Sequence, residues 1–338
     1  MQRNVLVDRL KGYACFLVLF GHVIMGIRLA GINIPHFFEG MEKFIWSFHV
    51  ALFMFLSGVV YKETGEWKNK KTKRGFLLYK LCSLGIPYIV FSAVYIGINS
   101  FVGQTNNQST VVDVLYIWET PVAQYWFLYA LFFLFVIWTT FSGIIENWII
   151  TLIVVVVGYA VPFLGINLGS FEVVFYTALP FGLGTVVDFS SLVKPPRTVK
   201  CITVLMHMVV GAVLVVLQKI EDPIMKEVMI VLGIGSSIAL ISILQKYTLI
   251  RRFLDFMNKY SFQIYLLHTI FTAGLRIVLM RMHITSWWIH ILIGTVGGIV
   301  FSVLAAEIAR RIPFLNFFFF PTKYLYTKKH RASKKGEE

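Results

Sequence analysis

The sequence predicts an all-α fold: a polytopic membrane helix bundle of about ten transmembrane helices, with both termini in the cytoplasm. Hydrophobic residues make up 57% of the 338 residues and charged residues only 14%, against about 25% in an average soluble domain. Apolar segments of about 20 residues, each long enough to cross about 30 Å of hydrocarbon, recur along the chain. The basic residues fall mainly in alternate loops, as the positive-inside rule requires.

The predicted spans follow one another with short polar breaks, and an even number of them puts both termini on one side of the membrane. With the N-terminus in the cytoplasm, the cytoplasmic segments hold 25 of the 31 Lys and Arg residues. The net charge of +14 therefore indicates topology and contact with anionic lipid, and gives no reason to infer a nucleic-acid partner. The ten spans are residues 11–30, 43–61, 76–98, 123–142, 147–163, 171–189, 201–218, 227–245, 256–279 and 286–309.

Residues 1–312 are predicted to form one transmembrane domain, followed by a basic, aromatic-rich cytoplasmic tail at residues 313–338. The first span has a basic start, as a signal peptide does, but it lacks a small-x-small cleavage motif and is predicted to be retained. The cysteines Cys15, Cys82 and Cys201 lack the spacing of a disulfide framework or a metal site. No metal is expected.

The first span carries a histidine deep in an apolar segment. Lys11 and His22 are eleven residues apart, so a helix places them on one face with about 16 Å of rise between them. Lys11 then lies at the cytoplasmic edge and His22 near mid-membrane. Because a polar group at that depth costs several kcal/mol unless it faces the bundle interior, His22 is a functional candidate. The other interpretation is a buried histidine satisfied by a neighbouring helix.

Two further spans carry histidines among apolar residues. The second span contains His49 and Ser57 in FHVALFMFLSG. The ninth contains Ser261, Tyr265 and His268 in KYSFQIYLLHT, at spacings of four and three that put them on one helix face. A helix bundle has no structural need for three such histidines, so they predict a constellation.

Other polar residues have simpler interpretations. Arg28 and Arg276 either bind an anionic acceptor or extend to lipid head groups, and the second interpretation is favoured. His207 lies among methionines and valines and is predicted to be structural. The basic run KNKKTKR at residues 68–74, with Lys80, either marks the cytoplasmic side or binds phosphate groups.

Five motifs, in this order, resemble those of the acyltransferase 3 family of membrane acyltransferases over residues 5 to about 270. They are Asp8-x2-Lys11-x10-His22, FHVALFMFLSG, YWFLYAL, LPFGLG and KYSFQIYLLH. The resemblance implies a ten-helix enzyme of the bacterial inner membrane that moves an acyl group, usually acetyl from acetyl-CoA, to a hydroxyl of a surface carbohydrate. It also implies that Lys11 and His22 are the catalytic positions.

The chain departs from the family at the acyl-donor site. Many members carry an Arg-x-x-Arg pair before the proline that opens the third span; counted back from Pro87, those positions are Lys80 and Ser83. Only one of the two charges is present, so the contact with the acyl donor is expected to shift to Arg74 or Lys73. Some members also carry a fused extracytoplasmic hydrolase-like domain, which is not expected within these 338 residues.

The resulting hypothesis assigns three groups of residues. The CoA phosphates bind at the cytoplasmic mouth, and His22 acts as general base or as transient acyl carrier. The remaining polar residues line the pore or bind the carbohydrate acceptor, and proteins of polysaccharide synthesis are possible partners. The CoA-binding residues are Asp8, Arg9, Arg74 and Lys80, with Lys11; the pore or acceptor residues are His49, Ser57, Ser261, Tyr265 and His268.

Two alternatives from other functional classes are a transporter and a structural subunit. A transporter or flippase for a lipid-linked saccharide or small solute would use the histidines as a proton relay. Such proteins often show repeated halves, and the sequence has no matching halves. A structural subunit of a polysaccharide synthase would tolerate substitution of all three histidines.

Overall fold

The computed structural model describes residues 4–65, 70–102 and 110–325, and within those ranges the chain forms helices and no named β-strand. The predicted tail beyond residue 325 lies outside the described residues, as do Lys68 and Asn69 of the basic run. In chain order the helices are α1 (Val5–Leu29), α2 (His36–Trp46), α3 (His49–Thr64), α4 (Lys70–Lys80), α5 (Ile86–Val102), α6 (Trp126–Phe141), α7 (Asn147–Phe163), α8 (Glu172–Tyr176), α9 (Ala178–Val186), α10 (Phe189–Val193), α11 (Arg197–Val216), α12 (Pro223–Leu244), α13 (Thr248–Lys259), α14 (Ser261–Arg281), α15 (Trp287–Arg311), α16 (Pro313–Phe319) and α17 (Pro321–Leu325).

The predicted polytopic helix bundle is confirmed. In the described part of the chain, 8 helical segments are long and apolar enough to cross a membrane. The predicted fifth span is a shorter apolar helix, α7. The prediction of one continuous sixth span at 171–189 is wrong, because the chain breaks at Thr177 between α8 and α9. Pro180 has no amide hydrogen to donate to the carbonyl of Tyr176, which favours a break in the helix at this point.

Two predicted span boundaries also differ from the structure. Ser47 separates α2 from α3, and its hydroxyl donates to the carbonyl oxygen of Phe44 at 2.7 Å. The ninth span begins at Ser261 and not at residue 256, because the chain turns at Tyr260 (φ −110°, ψ 9°). The preceding helix, α13, is amphipathic and buries Leu254 and Met257, and hydropathy alone merges its apolar residues with those of α14.

The helices carry apolar side chains on surfaces that no other described helix covers. On α11 these include Ile202, Leu205, Val209 and Val216, all more than half exposed. Large exposed apolar patches are rare on soluble monomers and are expected where a helix faces lipid.

The chain divides into two compact units. The first comprises Met1–Thr64 and Pro180–Val303, and the second comprises Gly65–Leu179 and Leu304–Glu338. In the first unit α1 is central, because it packs against α2, α3, α12, α13 and α14. At Gly12 the backbones of α1 and α13 meet so closely that a Cβ would collide with the carbonyl oxygen of Leu254. This contact anchors the amphipathic helix on the span that carries His22.

In the second unit, α4 continues into α5 through a π-helical turn at Leu81–Gly85. The turn directly precedes Pro87, which lacks the amide hydrogen that an α-helix would direct at the carbonyl of Ser83. The rings of Phe76 and Phe135, from α4 and α6, hold the Lys80 ammonium, with Nζ 5.1 Å and 4.1 Å from their centroids.

Candidate active site

His22 lies in α1 among the rings of two neighbouring helices. Its Nδ1 is 2.8 Å from the carbonyl oxygen of Val18. The centroid of its ring is 4.9 Å from that of His268 in α14 and 5.0 Å from that of Trp46 in α2. Trp46 also contacts His49 of α3, at 5.0 Å between centroids. We call His22, Trp46, His49 and His268 the histidine cluster.

The three histidines of the cluster share one hydrogen-bond pattern. Nδ1 of His49 is 2.7 Å from the carbonyl oxygen of Ile45, and Nδ1 of His268 is 2.9 Å from that of Ile264. Like the Val18 carbonyl at His22, each partner is the backbone carbonyl four residues earlier; for His49 this carbonyl belongs to the end of α2. A carbonyl oxygen only accepts, so Nδ1 carries the hydrogen in each ring. In the neutral rings Nε2 therefore bears the lone pair, as a general base requires.

Two polar atoms of the cluster have no hydrogen-bond partner among the described residues. They are the buried Nε1 of Trp46 and the buried Nε2 of His268, whose side chain is 0% exposed. An unsatisfied buried polar atom costs about 1–3 kcal/mol, so native structures seldom keep one without a water or a bound group. Nε2 of His207 is likewise buried without a partner among the described residues, so these atoms add polarity to the cluster but do not by themselves identify a binding site.

A small cavity adjoins His22. It measures about 10 Å³, which is room for about one water molecule. Thr272 and Arg276 reach it from α14, one and two turns beyond His268, so all three lie on one side of that helix. The lining residues are His22, Val23, Ile27, Thr272, Arg276, Leu279, His290 and Gly294.

Arg276 and His290 give this small cavity its polar wall. The guanidinium of Arg276 lies directly on Gly26 of α1, where any Cβ would collide with it, so Arg276 does not extend to lipid head groups as the sequence suggested. Nε2 of His290 donates to the carbonyl oxygen of Ile284 at 2.8 Å. Nδ1 of His290 is then an acceptor, and it is buried without a partner among the described residues.

A much larger opening, the charged cleft, borders the other side of Trp46. Its volume is about 810 Å³, and it is lined by Met25, Arg28, Glu39, Glu42, Lys43, Trp46, Ser47, Ile220, Glu221 and Lys226. Arg28 binds both carboxylate oxygens of Glu42, at 2.9 Å and 2.8 Å. Arg28 is therefore part of the cleft wall, which corrects its interpretation as a residue extending to lipid. Trp46 belongs to both the cleft and the histidine cluster.

The charged residues predicted to bind CoA lie in two places. Asp8, Arg9 and Lys11 lie near the N-terminal end of α1, in the first unit. Nε of Arg9 is 2.9 Å from a carboxylate oxygen of Asp255, and Nη1 donates to Gln245 at 2.8 Å. These contacts partly neutralise Arg9 and engage its donors, which reduces its capacity for phosphate.

Arg74 and Lys80 belong to α4, in the second unit. The Arg74 side chain is exposed, whereas the Lys80 ammonium is held by the Phe76 and Phe135 rings. A cation over aromatic rings keeps its charge but loses orientational freedom. Arg74 is thus the more accessible of the two predicted phosphate ligands.

The predicted pore and acceptor residues divide into two groups. His49 and His268 join the histidine cluster. Ser57 donates to the carbonyl oxygen of Phe53 at 2.8 Å and lies eight residues, about 12 Å, along α3 from His49. Ser261 donates to Asn258 at 3.0 Å, about two turns from His268. Tyr265 is partly buried on the turn between them.

The sequence interpretation did not single out Trp46 or His290. Trp46 precedes His49 by three residues, a spacing that places both side chains on neighbouring positions of a helical surface. His290 lies in WWIHILIG, a fourth histidine in an apolar span. Both signals were available, but an aromatic residue or a lone histidine in a span is more often structural. Within the described ranges, no group of three His, Cys, Asp or Glu side chains is placed to hold a metal ion.

Comparison with known families agrees with the geometry. The sequence profile of the acyltransferase 3 family, described as an acyltransferase domain, matches residues 4–307. In the same comparisons, no curated protein and no solved structure matches the chain. A match over this length includes α1 to α14 and most of α15, and with them the histidine cluster, the small cavity and the charged cleft. The chain therefore belongs to the acyltransferase 3 family and is a multi-pass membrane acyltransferase.

Proposed function

We propose that this protein transfers an acetyl group from acetyl-CoA to a hydroxyl of a cell-surface or lipid-linked carbohydrate. The observation that carries the proposal is the setting of His22. Its Nδ1 donates to the Val18 carbonyl, its Nε2 bears the lone pair, and its ring both lines the small cavity and contacts Trp46. Because Trp46 also lines the acceptor-sized charged cleft, a base in this setting supports transfer to a hydroxyl.

In this mechanism Nε2 of His22 takes the proton of the acceptor hydroxyl while the oxygen attacks the thioester carbonyl carbon. The tetrahedral intermediate expels the CoA thiolate as the C–S bond breaks. The imidazolium returns its proton to the sulfur, leaving an O-acyl ester, free CoA and a neutral His22. General base catalysis of this kind contributes about 10²–10⁴-fold to a rate.

A second version of the chemistry makes His22 a transient acyl carrier. Nε2 would then attack the thioester and pass the acyl group to the acceptor in a second step. Rapid quenching with radiolabelled acetyl-CoA in the absence of acceptor distinguishes the two mechanisms. Labelled protein should accumulate if His22 carries the acyl group, and should not accumulate if His22 acts only as a general base.

The charged cleft supports a carbohydrate acceptor. It combines an indole ring with carboxylate and ammonium groups of balanced sign, and side chains of this type hydrogen-bond sugar hydroxyls. Three acidic and three basic residues line it: Glu39, Glu42 and Glu221, and Arg28, Lys43 and Lys226. The volume of about 810 Å³ falls in the range of ordinary ligand sites.

We place the acyl donor at the N-terminal end of α1. We assign this end to the cytoplasm because 25 of the 31 basic residues fall on that side of the predicted topology. The membrane is proposed to be that of a bacterium. Lys11 is the principal phosphate ligand there, with Asp8 one turn earlier and Arg9 contributing less because Asp255 binds it. Arg74 and Lys80, which belong to the second unit, remain predicted phosphate ligands. This arrangement spares the polyanionic donor from crossing the membrane.

The test is acetyl transfer by the purified full-length protein in lipid nanodiscs. Radiolabelled acetyl-CoA and surface glycan from a strain lacking the protein should yield labelled glycan, and His22→Ala should not. The matched control is His283→Asn, at an exposed position with φ 58° that Asn tolerates, and it should retain full activity. Retained activity in His22→Ala overturns the assignment. Thermal stabilisation by acetyl-CoA separates the proposal from the transporter alternative, since a transporter should ignore CoA.

A further inference from the structure

We propose that the small cavity beside His22 receives the methyl group of the transferred acetyl, and that it sets the acyl specificity of the enzyme. This inference rests on the proposed function. It concerns which acyl group is transferred, a property that neither the family match nor the histidine cluster specifies.

The size of the cavity is the first argument. It has room for about one water-sized group, which matches one methyl and excludes a longer chain. Gly294 of α15 forms part of its wall, and a Cβ there would lie 3.0 Å from Cγ1 of Val23. The gap between α1 and α15 at this point is therefore so narrow that one added methyl group on Gly294 would close it. Any acyl chain beyond acetyl would have to displace Val23, Ile27 or Leu279.

The chemistry of the walls is the second argument. Val23, Ile27 and Leu279 provide an apolar side for the methyl group. Arg276 provides N–H donors in the same cavity, where they can stabilise the negative charge that develops on the thioester carbonyl oxygen. His22, the base, is the third component of the wall. One cavity therefore contains the three groups that an acetyl transfer requires.

The size of the cavity argues against a charged acyl group such as succinyl. The guanidinium of Arg276 would attract the terminal carboxylate of succinyl, but His290 adds no donor for it, because its Nε2 donates to the carbonyl oxygen of Ile284 and its Nδ1 only accepts. Succinyl also has several more non-hydrogen atoms than the cavity can hold, so the size of the cavity favours acetyl.

The experiment compares acyl donors in the purified protein with saturating acceptor glycan. The wild type should use acetyl-CoA in preference to propionyl-CoA by about 10- to 200-fold in kcat/KM, the usual discrimination for one methylene in an apolar pocket. Leu279→Ala enlarges the cavity and should reduce that preference by about tenfold or more. Gly294→Ala fills it and should lower acetyl transfer without weakening CoA binding. The matched control is Val278→Ala, at an exposed position on the same helix, and it should keep the wild-type preference.

A second enlarging variant, Val23→Ala, tests the same cavity from α1 if Leu279→Ala does not fold. The inference is overturned if a folded, active enlarging variant keeps the wild-type preference for acetyl-CoA. It is also overturned if the wild type transfers propionyl or succinyl as fast as acetyl. If the wild type transfers no acyl group from any acyl-CoA, the proposed function itself fails, and the inference with it.

A separate kinetic measurement tests the proposed role of Arg276 in stabilising the carbonyl oxygen. Arg276→Gln should lower kcat by about 10²–10³-fold, the usual cost of removing an oxyanion donor, with little change in the KM for acetyl-CoA. An effect confined to KM would contradict its role at the carbonyl oxygen.

Discussion

His207 and His22, two histidines in the helices of the first unit, can be compared directly. His207 of α11 is 3% exposed; Nδ1 is 2.6 Å from the hydroxyl of Ser236, and its ring packs against Phe44 and Phe48 at 4.7 Å and 4.8 Å. It lines neither the small cavity nor the charged cleft. His22 is held by a backbone carbonyl, contacts another histidine and a tryptophan, and borders a cavity.

The difference shows that depth in the bundle does not distinguish a structural histidine from a reactive one. Both rings are surrounded by apolar helices. At His207 aromatic rings fill the space. The rings of Phe44 and Phe48 pack so closely against Gly211 and Gly233 that a Cβ at either glycine would collide with them. At His22 the neighbours leave open space and supply further polar atoms. The predictions below test whether this difference in surroundings separates function from stability.

The largest effect on activity is expected for His22→Ala. Loss of the base should reduce the acetyl-transfer rate by about 10²–10⁴-fold. The thermal midpoint in detergent should change little, because the ring makes its one hydrogen bond to its own helix. Radiolabel transfer and a thermal unfolding scan measure the two quantities. If the variant loses stability in proportion to activity, then His22 is a structural residue like His207, and the proposed difference between the two sites is wrong.

A smaller loss is expected for His268→Ala. The ring of His268 contacts that of His22 at 4.9 Å and positions it without itself taking the acceptor proton. Removing one such contact should cost about 1–3 kcal/mol in the transition state, which corresponds to about a 5- to 150-fold loss in rate. His268→Gln, which keeps a polar group, should recover part of the loss. Equal activity of Ala and Gln variants would assign His268 to packing alone.

Trp46 should affect the acceptor more than the acyl donor. Trp46→Ala is expected to raise the KM for the glycan by about tenfold, equivalent to about 1.4 kcal/mol, with the KM for acetyl-CoA unchanged. Trp46→Phe keeps an aromatic ring and should raise it less. If Phe is as harmful as Ala, the buried indole N–H and not the ring makes the contact. A change in the KM for acetyl-CoA alone would remove Trp46 from the acceptor site.

The smallest effect on activity is expected for His207→Ala. The change leaves Ser236 without a side-chain partner and opens space between Phe44 and Phe48. Stability should fall by about 1–3 kcal/mol, whereas the turnover of the folded fraction should equal that of the wild type. Thermal scans and activity normalised to folded protein check both. A specific loss of turnover would give His207 a function that its surroundings do not suggest.

The sequence predicted the helical elements well because hydropathy and length determine where a helix can cross lipid. It also singled out His22 and His268, because each is a titratable group in an otherwise apolar span. The break at Thr177 was missed because Pro180 acts through a missing hydrogen bond, which a hydropathy average does not register. Likewise, α13 is separated from α14 by the conformation of a single residue, Tyr260.

The cavities could not be predicted from the sequence because they depend on how helices are rotated against one another. Whether Arg276 extends to lipid or rests on Gly26 is decided by the packing of α14 against α1. The ion pair between Arg9 and Asp255 joins residues 246 positions apart, beyond the reach of any local pattern. Trp46 illustrates the same point, because its contact with His22 crosses from α2 to α1.

The shared Nδ1 hydrogen bonds of His22, His49 and His268 have a consequence for catalysis in lipid. In many soluble enzymes a buried aspartate orients the catalytic imidazole. A carboxylate at this depth would carry a desolvation penalty of several kcal/mol. Here the backbone carbonyl four residues earlier orients each ring with an uncharged oxygen that the chain already provides. An enzyme of this design can therefore keep an oriented base in the hydrophobic interior without introducing a permanent negative charge.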